Sequence, residues 1–165
     1  MVLDADGLNF LAQAPRVGGA KQDNWILTPH PGEAARLLSS FEDKEMSTAQ
    51  IQTERLKHTT SLAERYEGIV VLKGAGSLIV APHSAHIASV CDFGNPGMAT
   101  AGMGDVLSGV IGALCVQGSI AVDAACAGVL LHALAGDDAA AQGQRGTLAG
   151  DLMPYIRKWA NPTSP

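Results

Sequence analysis

Short apolar runs rich in β-branched residues alternate along this chain with longer stretches whose apolar positions recur every three or four residues. The short runs read as buried strands: residues 1–5, 25–28, 68–73, 78–82 and 86–90, the last two forming a hairpin about a polar turn. The longer stretches read as helices. One follows the first strand from Asp6, which is placed to cap it, and another starts at Pro31, whose fixed φ suits a first turn that also holds Glu33. A capping box, Ser47-Thr48-Ala49-Gln50, opens one long amphipathic helix that turns Ile51, Leu62 and Tyr66 inward and leaves His58 at the surface. Residues 105–116 and 122–141 are helical and rich in Gly and Ala, which permits close packing on each other or on a sheet. A last helix, residues 148–159, has Thr147 as its cap and is weakened in its middle by Pro154. Residues 15–24 are a polar loop and residues 161–165 a tail. Alternating strands and helices, then a wholly helical last third, predict one α/β domain with helices packed on a mainly parallel sheet.

Composition narrows the class. At 165 residues, 47% of them hydrophobic, the chain can bury a core as a single domain. A net charge of −5 without clusters of Lys and Arg argues against nucleic acid and against an anionic membrane surface, and no apolar stretch reaches membrane-spanning length. Cys91, Cys115 and Cys126 are odd in number and lack C-x-x-C spacing, so they read as reduced core residues of a cytoplasmic protein. No cluster of His, Cys and Asp has zinc spacing, and no G-x-S-x-G elbow is present; His83 and His86 fit a turn and a strand edge. A small-molecule ligand is the class that fits.

The chemistry gathers where strands end. Between Gly94 and Gly109, four glycines and Pro96 lead into one carboxylate, Asp105, and then into an apolar helix that carries a fifth glycine. Glycines let backbone N–H groups turn inward, and the first turn of a helix adds unpaired donors and the positive end of its dipole, so the stretch is suited to a phosphate. It is neither a P-loop, for want of G-x-x-x-x-G-K-[ST], nor a G-x-G-x-x-G dinucleotide fingerprint. Two more strand ends converge chemically with it: Thr28-Pro29-His30-Pro31-Gly32-Glu33, and Lys73-Gly74-Ala75-Gly76, whose lysine can hold a phosphate or lie near an adenine. Asp4 and Asp6 end the first strand in the same way. Each has a plainer reading when taken alone: Asp105 and Asp6 complement helix starts, Lys73 extends to water, His30 is a loop histidine and Asp4 is solvated.

Leu3-Asp4-Ala5-Asp6-Gly7-Leu8-Asn9, Leu27-Thr28-Pro29-His30-Pro31-Gly32-Glu33, Leu72-Lys73-Gly74-Ala75-Gly76, and the stretch Gly94-Asn95-Pro96-Gly97-Met98-Ala99-Thr100 through Gly104-Asp105-Val106-Leu107-Ser108-Gly109 also follow a known order. They resemble the successive motifs of the ADP-dependent NAD(P)H-hydrate dehydratases, which are ribokinase-like proteins. The resemblance covers essentially the whole chain, residues 1–165, as the C-terminal portion of one dehydratase (carbohydrate-kinase-like) domain. It implies that the N-terminal part of that domain, and the epimerase domain that often accompanies it, are missing. It implies elimination of water from hydrated NADH and NADPH, driven by ADP or ATP, with Mg2+ accompanying the nucleotide. Carried onto this chain, His30 and Asp105 contact the hydrated dinucleotide, with Asp105 the catalytic acid–base group. Lys73, Gly74, Ala75, Gly76, Ser77 and Gly104 contact the adenine nucleotide. Ala101 stands where the family commonly has Gly, and Ser77 where Thr is frequent; Ala101 tightens the loop if its backbone needs φ > 0. Two alternatives stay open: a ribokinase-like small-molecule kinase, which would share Gly104 and Asp105, and an inactive nucleotide-binding remnant. Missing strands would leave an exposed sheet edge that invites self-association, and turnover of the isolated chain is expected to be weak or absent.

Overall fold

The computed structural model describes residues 1–13, 24–41, 45–83 and 88–161. Its strands lie side by side in chain order: β1 (Val2–Leu3), β2 (Ile26–Leu27), β3 (Ile69–Leu72), β4 (Ser77–Val80) and β5 (Ala88–Cys91). The sheet is mixed. β1, β2 and β3 run parallel, as helical crossovers require, whereas β3–β4 and β4–β5 are antiparallel. The antiparallel half contains the hairpin read from the sequence; its second strand is set at Ala88–Cys91, and His86 lies outside the described residues. His83 sits in the turn with φ +56°.

The two-residue period of the strands sorts their side chains into two cores. Leu27, Val70, Leu72, Leu78 and Val80 face one way, onto Leu8, Leu11, Leu37, Leu38, Ile51 and Leu62 of the helices α1 (Asp6–Gln13), α2 (Pro31–Ser39), α3 (Thr48–Thr53) and α4 (Arg55–Tyr66). Ile26, Ile69, Val71, Ile79 and Cys91 face the other way, onto Leu107, Ile111, Ala125, Val129 and Ala133 of α5 (Met103–Val116) and α6 (Ala121–Ala140). The result is a helix–sheet–helix sandwich. The cysteines are free; Cys91 belongs to the second core, and Cys115 and Cys126 pack against it. A third cluster, built on Met103, Ala135, Ala139 and Leu152, joins the start of α5 to α6 and to α7 (Met153–Ala160). None of the described helices is long and apolar enough to cross a membrane.

Several boundaries depart from the sequence reading, each for a local reason. The long helix from Ser47 is two helices, interrupted at Glu54 (φ −128°, ψ 50°) after Thr53, whose β-branched side chain bonds back to the Ala49 carbonyl at 2.9 Å. Beyond this break His58 is buried, with its Nε2 4.0 Å from Glu54 Oε2, and is not at the surface. Asp6 is the first residue inside α1 rather than ahead of it, since the chain turns into the helix through Ala5 at φ +45°. Thr147 caps nothing: it is buried and its hydroxyl donates to the carbonyls of Gly143 and Gln144, while Asp151 accepts from the Leu148 N–H at 2.8 Å. Pro154 does not weaken the middle of a helix, because a 3-10 turn (Ala149–Leu152) precedes α7 and places the proline in its first turn, where no N–H is needed. Apart from Asn24, the loop read at residues 15–24 lies outside the described residues, as does the tail beyond Asn161.

Candidate active site

Parallel α/β sheets offer a crevice beyond the carboxyl ends of their strands, and the chemistry of this chain collects there. Asp4 follows β1, Thr28 to His30 follow β2 and Lys73 follows β3. Backbone pairing continues past the strands, from Thr28 N–H to the Leu3 carbonyl at 3.0 Å and from Lys73 N–H to the Pro29 carbonyl at 2.8 Å, which keeps the three ends in register.

The side chains meet in an ion cluster. Lys73 Nζ donates to Asp4 Oδ1 at 2.7 Å and stands 3.7 Å from Glu33 Oε2. Ser108, on α5, donates to Asp4 Oδ2 at 3.0 Å. Burial by itself raises the Asp4 carboxyl, but the hydrogen bond and charge of Lys73, with further hydrogen bonds from Ser108 and Thr28, outweigh it and hold the group below the usual carboxylate range. Glu33 is buried and accepts from the His30 backbone N–H at 2.7 Å. His30 completes a capping box for α2, its Nδ1 accepting from the N–H groups of Gly32 and Glu33 at 3.0 and 3.3 Å. With Nδ1 used as an acceptor, the neutral imidazole carries its proton on Nε2, which lies 3.4 Å from Glu33 Oε1. The ring is half-exposed, so His30 is both a cap and a group presented to the crevice.

Against this cluster comes the start of α5. Its N-cap is Gly102 at φ +86°, which has no side chain to cap the helix, and among the described residues no side chain accepts from the N–H groups of Met103, Gly104 and Asp105. The helix begins two residues earlier than its apolar pattern suggested, which puts Gly104 and Asp105 in this first turn. A Cβ on Gly104 would stand 3.2 Å from Asp4 Oδ2 and 3.3 Å from Lys73 Nζ, so the backbone of the turn lies directly on the ion pair. The Asp105 carboxylate is exposed and makes no hydrogen bond or ion pair with the described residues. Such a turn can hold an anion, with a free carboxylate beside it to exchange a proton.

The loop before α5 is held from behind. Asn95 Nδ2 donates to the Gly136 carbonyl and to Asp137 Oδ1, its Oδ1 accepts from Gly97 N–H, and Gly94 N–H donates to Asp137 Oδ2, all between 2.9 and 3.0 Å. Ala101 does not have a positive φ, so alanine there introduces no strain. The turn from Lys73 to Ser77 is braced from α4: Arg55 donates to the carbonyls of Leu72 at 3.3 Å and Gly76 at 3.0 Å. Gly74 and Gly76 have φ of +134° and +66°, and Gly74 and Ala75 are exposed. His30, Lys73 and Gly104 are therefore brought together through Glu33 and Asp4, with Asp105 next in the chain. Gly74, Ala75, Gly76 and Ser77 join them through Lys73 and are fixed by Arg55.

A family model described as NAD(P)H-hydrate dehydratase matches residues 1–158. The chain belongs to the NAD(P)H-hydrate dehydratase family. It is 49% identical over 162 residues to the bifunctional NAD(P)H-hydrate repair enzyme Nnr of Coxiella burnetii, covering 98% of this chain and 31% of that protein. To the ADP-dependent (S)-NAD(P)H-hydrate dehydratase of Neisseria meningitidis it is 41% identical over 161 residues, covering 95% of this chain and 52% of that one. Among solved structures, the ADP/ATP-dependent NAD(P)H-hydrate dehydratase of Bacillus subtilis, co-crystallized with ATP/Mg2+ and soaked with CoA, superposes with a TM-score of 0.78 at 26% identity, over 96% of this chain and 54% of that one. A ribokinase-like superfamily protein of Enterococcus faecalis superposes with a TM-score of 0.70 at 27% identity, over 98% of this chain and 53% of that one, and the fold is ribokinase-like. The chain thus spans 31% of the Coxiella burnetii dehydratase relative and 52% of the Neisseria meningitidis one.

Two residues of this dehydratase-family site had no part in the sequence reading: Arg55, which bonds carbonyls 17 and 21 residues on, and Asp137, which lies 42 residues from the Asn95 it binds. Ser108 stood within the last motif, but its bond to Asp4, 104 residues away, did not show.

Proposed function

We propose that this chain acts in the repair of nicotinamide cofactors, removing water from hydrated NADH and NADPH with ADP or ATP as co-substrate, in the cytoplasm. The observation that carries the reading is the open first turn of α5, with the free carboxylate of Asp105 beside a glycine-backed Lys73–Asp4 pair. The names of its relatives support the same chemistry.

In this reading the terminal phosphoryl group of the nucleotide lies at the α5 N-terminus, where the Gly104 N–H and Lys73 offset the charge that develops on its oxygens. Gly74, Ala75, Gly76 and Ser77 hold the rest of the nucleotide along the braced turn. The hydrated ring lies between His30 and Asp105. Asp105 takes the proton of the substrate hydroxyl as that oxygen forms a bond to phosphorus and the bridging P–O bond of the nucleotide breaks. The phosphate then leaves with the C–O bond electrons while a proton departs from the neighbouring carbon, which restores the double bond of the reduced nicotinamide. Mg2+ would travel with the phosphates. Among the described residues no three His, Cys, Asp or Glu side chains are grouped to hold a metal, and Asp4 is already committed to Lys73 and Ser108. The described side chains alone therefore do not make a magnesium site.

The assay follows recovery of reduced-nicotinamide absorbance from the hydrate with ADP or ATP, with the Coxiella burnetii relative as positive control. The expected result is weak recovery by this chain with either nucleotide, reduced about 100-fold or more in Asp105→Asn. Release of a stable phosphorylated product instead would identify a kinase. Equal rates in Asp105→Asn and its parent would remove Asp105 from the reaction.

A further inference from the structure

The parallel register leaves Asp4 and Lys73 on opposite sides of β2. Two strand spacings of about 4.8 Å separate β1 from β3, so only a long side chain on β3 can reach across the end of β2. Lys73 makes that reach, and its ammonium meets two carboxylates unequally, Asp4 at 2.7 Å and Glu33 at 3.7 Å. Asp4 is thus the partner that draws the ammonium away from Glu33 and onto the Gly104 backbone. Its second oxygen is used as well, by Ser108 one turn further along α5, so a single carboxylate fixes both the cation and the helix that faces it.

We propose that Asp4 is a positioning residue of the nucleotide site, setting the Lys73 ammonium against the first turn of α5. This rests on the dehydratase reading for the identity of the ligand, but its test is separate. The charge of Asp4 by itself opposes an anion. If it acted only through that charge, Asp4→Asn would bind ADP more tightly. If Asp4 acts by holding Lys73 in place, Asp4→Asn releases the ammonium toward Glu33 and ADP binds more weakly.

The experiment is calorimetric titration of ADP into the wild-type chain, Asp4→Asn, Lys73→Met and the double variant, with thermal melts to establish that each is folded. The expected result is a loss of about tenfold in Asp4→Asn, and a double variant no weaker than Lys73→Met alone, because Asp4 has nothing to act through once the ammonium is gone. Ser108→Ala, which leaves the ion pair in place, should lose about threefold, and Asp4→Glu should recover part of the affinity by restoring the charge. Unchanged or tighter binding in Asp4→Asn, or losses that simply multiply in the double variant, would overturn the proposal. Failure of the wild-type chain to bind ADP would overturn it together with the nucleotide reading, whereas ADP binding without turnover of the hydrate would count against the dehydratase reading alone.

Discussion

A methyl group on Gly97 would stand 2.5 Å from the Gln144 carbonyl oxygen and 2.9 Å from Asn95 Oδ1. Its neighbour there is backbone, which cannot swing aside. The clash at Gly104 is of another kind, since the atoms met at 3.2 and 3.3 Å are the charged ends of Asp4 and Lys73, and a lysine can be displaced. The loop glycine and the helix glycine should therefore fail differently. Gly97→Ala is expected to lose about 1–3 kcal/mol in urea unfolding as the loop is pushed from its seat. Gly104→Ala should unfold close to the wild type but bind ADP roughly tenfold more weakly, because the ammonium has moved. From sequence the two positions look alike; what separates them is a contact 47 residues away in one case and an ion pair between residues 4 and 73 in the other. The helix start at Pro31, with Glu33 in its first turn, was legible because both signals lie within four residues, but the capping box that His30 makes with Glu33 was not read. The partners of Asp4 were not legible, because they are set by strand register.

At the scale of elements, the interface of α5 and α6 is close enough to exclude side chains. A Cβ on Gly128 would meet Ile111 Cγ1 at 2.5 Å, and one on Gly136 would clash with Met98 Sδ in the turn ahead of α5. The small-residue composition of both helices had announced this proximity, though not which glycines enforce it. Within the same packing lies His132 of α6, buried, with Nε2 lacking a hydrogen-bond partner among the described residues. Burial is the main cause that pushes its imidazole down to about 4; the Lys73 charge just beyond β3 acts in the same direction and the Met103 backbone at the start of α5 opposes them. The unfolded chain takes up this proton near 6.5 and the native state only near 4, so the stabilisation is complete above pH 6.5 and is lost as the pH falls toward 4. The shift corresponds to about 3 kcal/mol. Urea midpoints measured from pH 7.5 to 4.5 should decline for the wild type, and His132→Gln should flatten that decline.

For the whole molecule, the three layers were readable because strand and helix periods alternate so plainly, and the convergence of three strand ends on one helix start follows from that layering. The mixed character of the sheet was only partly visible: the hairpin was, but its weight against two-residue β1 and β2 was not. One property of the sheet bears on how the protein is made. Since the strands stand in space in the order in which they are translated, each emerging strand finds its neighbour already waiting. The first helical layer is complete by Tyr66, before β3 begins. Among the described residues the opposite face is covered by α5 and α6, which leave the ribosome later. From Cys91 to Ala140 is roughly 50 residues, or about 2–10 s of synthesis at about 5–20 residues per second. Through that interval Ile26, Ile69, Val71 and Ile79 lack the α5 and α6 side chains they pack on. Nascent chains stalled near residue 95 should therefore be held by chaperones that bind apolar surface, and those stalled well past residue 140 should be released.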